Sequence, residues 1–175
     1  MVIYPAEYLK KVSCLAKKYN VHLVVDEVAT GFGRTGKMFA CEHAGITPDF
    51  MCLSKGITAG YMPLGVTLTS EAVYKAFYGD RAENKTFYHG HTYTANPLSC
   101  ACALSSLKIF EDEDVLKRSQ ALALYFQQEL EKFRPLPVVG DVRYVGVIGV
   151  LELVKDKKTK EPFGLKDRIG LSIYK

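Results

Sequence analysis

Apolar residues recur at Tyr8, Val12, Leu15, Ala16 and Tyr19, at helical spacing, which predicts a helix from Pro5 to Asn20. Pro5 suits the first turn, where a missing N–H costs nothing. The β-branched run "VHLVV" (Val21 to Val25) reads as a short buried strand ending at Asp26 and Glu27. "DFMCL" (Asp49 to Leu53) reads as a second buried strand, ending at Ser54-Lys55-Gly56, and "LGVTLT" (Leu64 to Thr69) alternates as a third. Ser70 is a candidate cap for the helix "EAVYKAFY". A long loop from Gly79 to Ala95 follows; loops of that length without internal structure are often functional. Pro97 opens an Ala/Ser/Cys-rich helix to about Phe110, whose small residues suit close packing. A second helix runs from about Asp112 to Phe133, with Leu116, Leu122, Leu124, Phe126 and Leu130 as its apolar face. "RPLPVVGD" breaks it, and "VRYVGVIGVLELV" reads as two strands with a bend at Gly146 or Gly149.

Short strands alternating with helices predict an α/β fold with a mostly parallel sheet flanked by helices. A domain boundary is placed near Pro137, giving units 1–137 and 138–175. In such sheets ligands sit beyond the carboxyl ends of the strands. Two of the strands end there in charge, at Asp26 and Lys55.

Composition narrows the choice little. With 175 residues, 48% apolar and 24% charged, the chain is of ordinary globular composition. A net charge of +4 is too mild to argue for nucleic acid, and no apolar run reaches the roughly 18 residues of a membrane span. Five cysteines, an odd number without C-x-x-C spacing, point to a reducing, cytoplasmic setting with neither disulfide framework nor zinc site.

The stretch "ATGFGRTGKM" admits two nucleotide readings. A triphosphate loop needs Ser or Thr after its lysine, and Met38 stands there. A dinucleotide fingerprint needs an acidic residue ending the next strand, and Asp49 begins it. A nucleotide-binding module using Gly31 to Lys37 therefore remains a remote alternative. Asp26 and Lys55 offer a different chemistry. They lie about one strand-to-strand crossover apart, so neighbouring strands would bring a carboxylate and an amine to one pocket. That pair suits pyridoxal phosphate: the amine forms a Schiff base with the aldehyde and the carboxylate keeps the pyridine nitrogen protonated.

"LVVDEVATGFGRTGKMFACEHAGITPDFMCLSKG" resembles the signature of the class III (fold type I) pyridoxal-phosphate aminotransferases, and the resemblance runs from about Tyr4 to beyond Gly164. It implies the fold type I large domain over 1–137 and the start of the C-terminal α+β small domain over 138–175. It implies pyridoxal 5'-phosphate as cofactor and a homodimer. By the same resemblance Asp26 pairs with the pyridinium nitrogen, Val28 packs on the ring, and Lys55 is the Schiff-base lysine and proton carrier. Thr92 holds the cofactor phosphate across the dimer interface, with a backbone contact from His91. Gly90 borders the substrate, and Arg34 either lines the substrate pocket or ties the bend together. The glycines then shape a bend behind Asp26, held by Glu27 and Thr30.

Within that family "HGHTYTANPLSCACAL" and "CLSKGITAGYMPLGVTLT" are most similar to the branch acting in biotin synthesis. That branch transfers an amino group from S-adenosylmethionine or lysine to 8-amino-7-oxononanoate; another class III ω-aminotransferase is the alternative. Relatives also carry an N-terminal Gly-Ser phosphate cradle, ring-stacking aromatics and a C-terminal arginine. This chain lacks them, so it is expected to be part of a longer enzyme and inactive alone.

Overall fold

A computed structural model describes residues 1–174. The chain opens with helix α1 (Ala6–Lys18), for which Pro5 stands at the N-cap. Strands β1 (Val24–Asp26), β2 (Phe50–Leu53) and β3 (Val66–Thr69) then form one sheet in the order β1-β2-β3. β1 and β2 run parallel, with Val24 opposite Phe50 and Asp26 opposite Cys52. β2 and β3 run antiparallel, so among the described residues this sheet is mixed instead of mostly parallel. The twelve residues between Leu53 and Val66 contain only the single helical turn Lys55–Thr58, with no helix long enough to cover the sheet, and β3 returns antiparallel.

Helix α2 (Glu71–Phe77) is capped as expected, Ser70 Oγ accepting from Val73 N. Helix α3 (Pro97–Asp112) has proline in its first turn and Asn96 as cap, its side chain accepting from Ser99 N at 3.0 Å. The small residues Ser99, Ala103 and Ser106 are its buried face. They let α3 lie directly on the chain that leaves β2: Ser99 Oγ donates to Pro63 O at 3.0 Å and Ser106 Oγ to Gly56 O at 3.4 Å. Asp114, in the left-handed region at φ 49°, separates α3 from helix α4 (Val115–Glu131).

Strands β4 (Val139–Val145), β5 (Ile148–Asp156) and β6 (Glu161–Pro162) make a second, antiparallel sheet, and a short helix α5 (Ile169–Tyr174) follows. The hairpin turns at Gly146, whose φ of 57° suits glycine. Each sheet has its own core. Phe32, Leu53, Ile57 and Ala103 are buried together in the first, with Met51, Leu64 and Phe110 against them. Leu130, Val139 and Val142 are buried in the second, with Phe126 and Leu151.

Three expectations of burial fail. β1 starts at Val24, not Val21, and is an edge strand whose Val24 is exposed. On α1, Tyr8, Leu15 and Tyr19 are exposed, while Ser13 and Ala16 are buried. On α4, Leu122 and Leu124 are exposed, and Ala123 and Leu130 carry the contact. In each case only a narrow stripe meets a neighbour among the described residues, and the rest of the apolar face has nothing packed on it. No described helix is long and apolar enough to cross a membrane.

Candidate active site

The parallel pairing of β1 and β2 is what brings the candidate acid and amine together. Asp26 ends β1 opposite Cys52, and Lys55 comes three residues beyond Cys52. Adjacent strands lie about 4.8 Å apart, so the two tips are neighbours at the carboxyl end of the sheet. Asp26 and Lys55 are both exposed. Asp26 Oδ1 accepts from Val28 N at 2.9 Å, an Asx-type turn that leaves Oδ2 free of hydrogen bonds among the described residues. Lys55 makes no ion pair with Asp26 or with any other described residue.

The backbone at Lys55 is unusual. Ser54 is fully extended at φ −165°, and Lys55 then turns into the left-handed region at φ 47°. A non-glycine residue there costs free energy, which the surrounding packing must offset. Gly56 supplies part of that packing. A Cβ added at Gly56 would lie 2.7 Å from Phe32 Cβ, so no other residue fits. Ser54 Oγ donates to Leu64 O at 2.7 Å, and Thr58 Oγ1 donates to Met62 O. α3 bonds the Gly56 and Pro63 carbonyls from the other side.

Behind Asp26 the glycine-rich bend is a docked structure, not a loose loop. Phe32 N donates to Met38 O at 2.7 Å and closes it. Gly33 and Gly36 have φ of 84° and 89°, as their turns require. The Gly33 carbonyl accepts from Ser119 Oγ at 2.7 Å and the Gly36 carbonyl from Gln120 Nε2 at 2.9 Å, which fastens the bend to α4. Arg34 Nη1 donates to Ala29 O at 3.0 Å, within the bend, and its carbonyl accepts from Val147 N of the second hairpin. In this arrangement one guanidinium nitrogen helps to tie the bend.

Glu27 is 0% exposed. Its carboxylate accepts from Cys41 N at 2.8 Å, from Ala40 N at 3.0 Å and from the Thr30 hydroxyl. Burial, then the Glu27 charge, pushes the Cys41 thiol from 9.0 up to about 11. Sequence reasoning gave Glu27 and Thr30 this local role but missed its reach to residues 40 and 41. Strand alternation held the signal, since the residue after an outward Asp26 points inward.

Gly90, His91 and Thr92 lie elsewhere. Their loop is exposed throughout. It is held by local bonds, His91 N donating to Thr94 Oγ1 at 2.8 Å and Tyr93 N to His91 Nδ1 at 3.2 Å. It faces an open cleft of about 880 Å³ whose other wall is Met62 to Gly65. Among the described residues no hydrogen bond joins these three to Asp26 or Lys55. No group of three or more metal-binding side chains occurs among the described residues.

Known proteins share this arrangement of elements. The family model described as aminotransferase class III matches residues 1–174. The adenosylmethionine-8-amino-7-oxononanoate aminotransferase of Anoxybacillus flavithermus is 51% identical over 97% of this chain and 37% of its own length. The protein of the same name from Aquifex aeolicus is 51% identical over 99% of this chain and 38% of its own. The chain thus spans less than two fifths of the length of these relatives. The crystal structure of the Methanocaldococcus jannaschii protein of that name superposes with a TM-score of 0.95, at 46% identity over 99% of this chain and 40% of that one. An (S)-enantioselective ω-transaminase from Thermomicrobium roseum superposes at 0.90 with 36% identity, over 97% and 37%. With its sequence matched from end to end of the described residues and its strand tips carrying an acid and an amine, this chain belongs to the class III aminotransferase family.

Proposed function

We propose that this chain carries the Asp26–Lys55 half of a pyridoxal-phosphate site in an enzyme that moves an amino group onto 8-amino-7-oxononanoate, from S-adenosylmethionine or lysine. The observation that carries this reading is the placement of Asp26 and Lys55 at the carboxyl ends of two paired parallel strands. The residues fit the cofactor. Asp26 keeps one oxygen anchored on Val28 N and the other open toward a pyridinium N–H, and Lys55 has an amine with no competing carboxylate. When bound, pyridoxal phosphate supplies an electron-accepting ring.

The chain's own residues then divide the work. Asp26 accepts the pyridinium hydrogen bond, a charge-assisted contact of about 1.5–3 kcal/mol, and holds that nitrogen protonated. Val28 packs beside it. Lys55 binds the cofactor covalently through Nζ and, once released, takes up and returns a proton at that atom. Thr92 and the His91 backbone hold the phosphate of a partner subunit's site, which accounts for an exposed loop whose hydrogen bonds, among the described residues, are local. Gly90 borders the substrate. Arg34 lines the substrate pocket from the bend, where its Nη1 also donates to Ala29 O. The assembly is a homodimer. Residues 1–137 belong to its large domain and 138–175 to its small domain, whose sheet begins at Val139 and packs on Phe126 and Leu130 of α4. Five unpaired cysteines suit a cytoplasmic enzyme.

The test is reduction of the full-length protein with borohydride in the presence of pyridoxal phosphate, followed by peptide mapping. Label on Lys55 is expected; label elsewhere, or none, overturns the reading. The similarity to the Thermomicrobium roseum ω-transaminase favours a second reading, another class III ω-aminotransferase. A substrate panel separates the two, since 8-amino-7-oxononanoate is the preferred acceptor only under the first.

A further inference from the structure

Among the described residues Glu27 is the one buried carboxylate beside the proposed site, and no step of the chemistry above uses it. It follows Asp26 directly, and the strand's alternation sends the two side chains to opposite faces, Asp26 outward and Glu27 into the interior. Its two oxygens collect three donors from two parts of the chain. Oε1 takes Cys41 N–H, while Oε2 takes Ala40 N–H and the Thr30 hydroxyl. Its backbone is pinned as well: Glu27 N donates to Cys52 O at 2.9 Å, and Glu27 O accepts from Gly31 N at 2.9 Å. The first of these bonds ties the exit of β1 to the end of β2, just ahead of Lys55. The second sets the turn that delivers Phe32 onto Gly56, the residue after Lys55.

We propose that Glu27 is a positioning residue for the Asp26–Lys55 pair. Its buried carboxylate fixes the bend so that one end aims Asp26 through the Val28 N–H and the other end seats Phe32 against the Lys55 turn. A single group thereby sets the spacing between an acid and an amine on different strands. A carboxyl group serves where an amide does not. An amide in its place would put an NH₂ against a backbone N–H, whichever way it is turned, because both oxygens of Glu27 face backbone donors. This inference rests on the reading of Asp26 as the partner of the pyridine nitrogen.

The test is a double-mutant cycle in the full-length protein, using Glu27→Gln and Asp26→Asn singly and together. Pyridoxal phosphate is the titrant, and its dissociation constant and bound absorbance spectrum are the readouts. Circular dichroism of the protein without cofactor monitors folding. Glu27→Gln is expected to weaken cofactor binding by about tenfold and to shift the spectrum in the same direction as Asp26→Asn. In the Asp26→Asn background the same change should cost less than about twofold. An equal loss in both backgrounds would make Glu27 merely structural and overturn the proposal. If Asp26→Asn alone changes neither affinity nor spectrum, the assignment of Asp26 fails, and the Glu27 proposal with it. Should Glu27→Gln fail to fold, Thr30→Val removes one donor and leaves the two backbone bonds. It must then give a smaller shift of the same sign, and no shift counts against the proposal.

Discussion

The segment from Glu27 to Gly45 and the segment from Gly79 to Asn96 both lack strands, and both carry candidate site residues. They are built in opposite ways. The first wraps a buried carboxylate, buries Phe32, Thr35 and Cys41, and is fastened to α4 and to the β4–β5 hairpin by bonds from Ser119, Gln120 and Val147. The second has almost every side chain exposed, and its hydrogen bonds are nearly all between residues a few positions apart. The difference lies in where each finds its partners. The bend satisfies its polar groups inside this chain, so its geometry is fixed before any ligand arrives. The loop leaves Gly90, His91 and Thr92 on an open surface, where the role proposed for them across a dimer interface would need them.

The largest expected effect that could break this contrast is at Gly146, where the second hairpin meets the bend. A Cβ there would lie 2.2 Å from Arg34 O, at a φ of 57°. Gly146→Ala should cost about 3 kcal/mol in chemical denaturation of the full-length protein. The matching change in the loop, Gly90→Ala, meets nothing closer than Thr94 Oγ1 at 3.7 Å and should stay within about 0.5 kcal/mol. Equal costs would mean that the bend is not clamped.

Limited trypsin digestion sharpens the comparison. Cleavage at Arg81 and Lys85 should slow by about tenfold when pyridoxal phosphate is added to the full-length protein, because ligand binding draws on the mobile state. Cleavage at Arg34 and Lys37 should be slow from the start and unchanged. Protection of the bend alone would reverse the roles of the two segments.

A smaller effect is expected at Ser119, whose hydroxyl donates to Gly33 O. Ser119→Ala should lower stability by about 1 kcal/mol, read as a shift in the denaturation midpoint. A further effect concerns pH. Folding raises the Cys41 thiol from 9.0 to about 11, so the folded protein keeps a proton that the unfolded chain has lost. Stability should therefore fall as pH climbs from about 9 to 11, and Cys41→Ala should flatten that part of the profile. A profile unchanged by the substitution would place the thiol outside the clamp.

Local chemistry in the sequence was enough for several features. Ser70 and Asn96 cap because a short polar side chain before a helix accepts an orphan N–H wherever the helix lies. Gly146 turns the hairpin because the turn itself requires positive φ. Asp26 and Lys55 stood out because each follows an apolar run that reads as a strand, and ligands in such sheets sit beyond the strand ends. Burial was less legible. The periodicity of α1 and α4 marks a face that can be covered, but Tyr8, Leu15, Leu122 and Leu124 are exposed because nothing described lies over them. Arg34 was ambiguous because a guanidinium's partner can be any carbonyl that folding brings near, and in this fold it is Ala29 O.

The order of residues alone determined the elements, their caps, the glycine-dependent turns and the family, since all of these rest on contacts within a few positions or on a continuous match. Only the tertiary structure decided that β3 runs antiparallel, that Glu27 spans from Thr30 to Cys41, and that Phe32 closes over Gly56 beside Lys55. These depend on which distant segments share a neighbour, and a one-dimensional pattern records that a group can bond but not what it will meet.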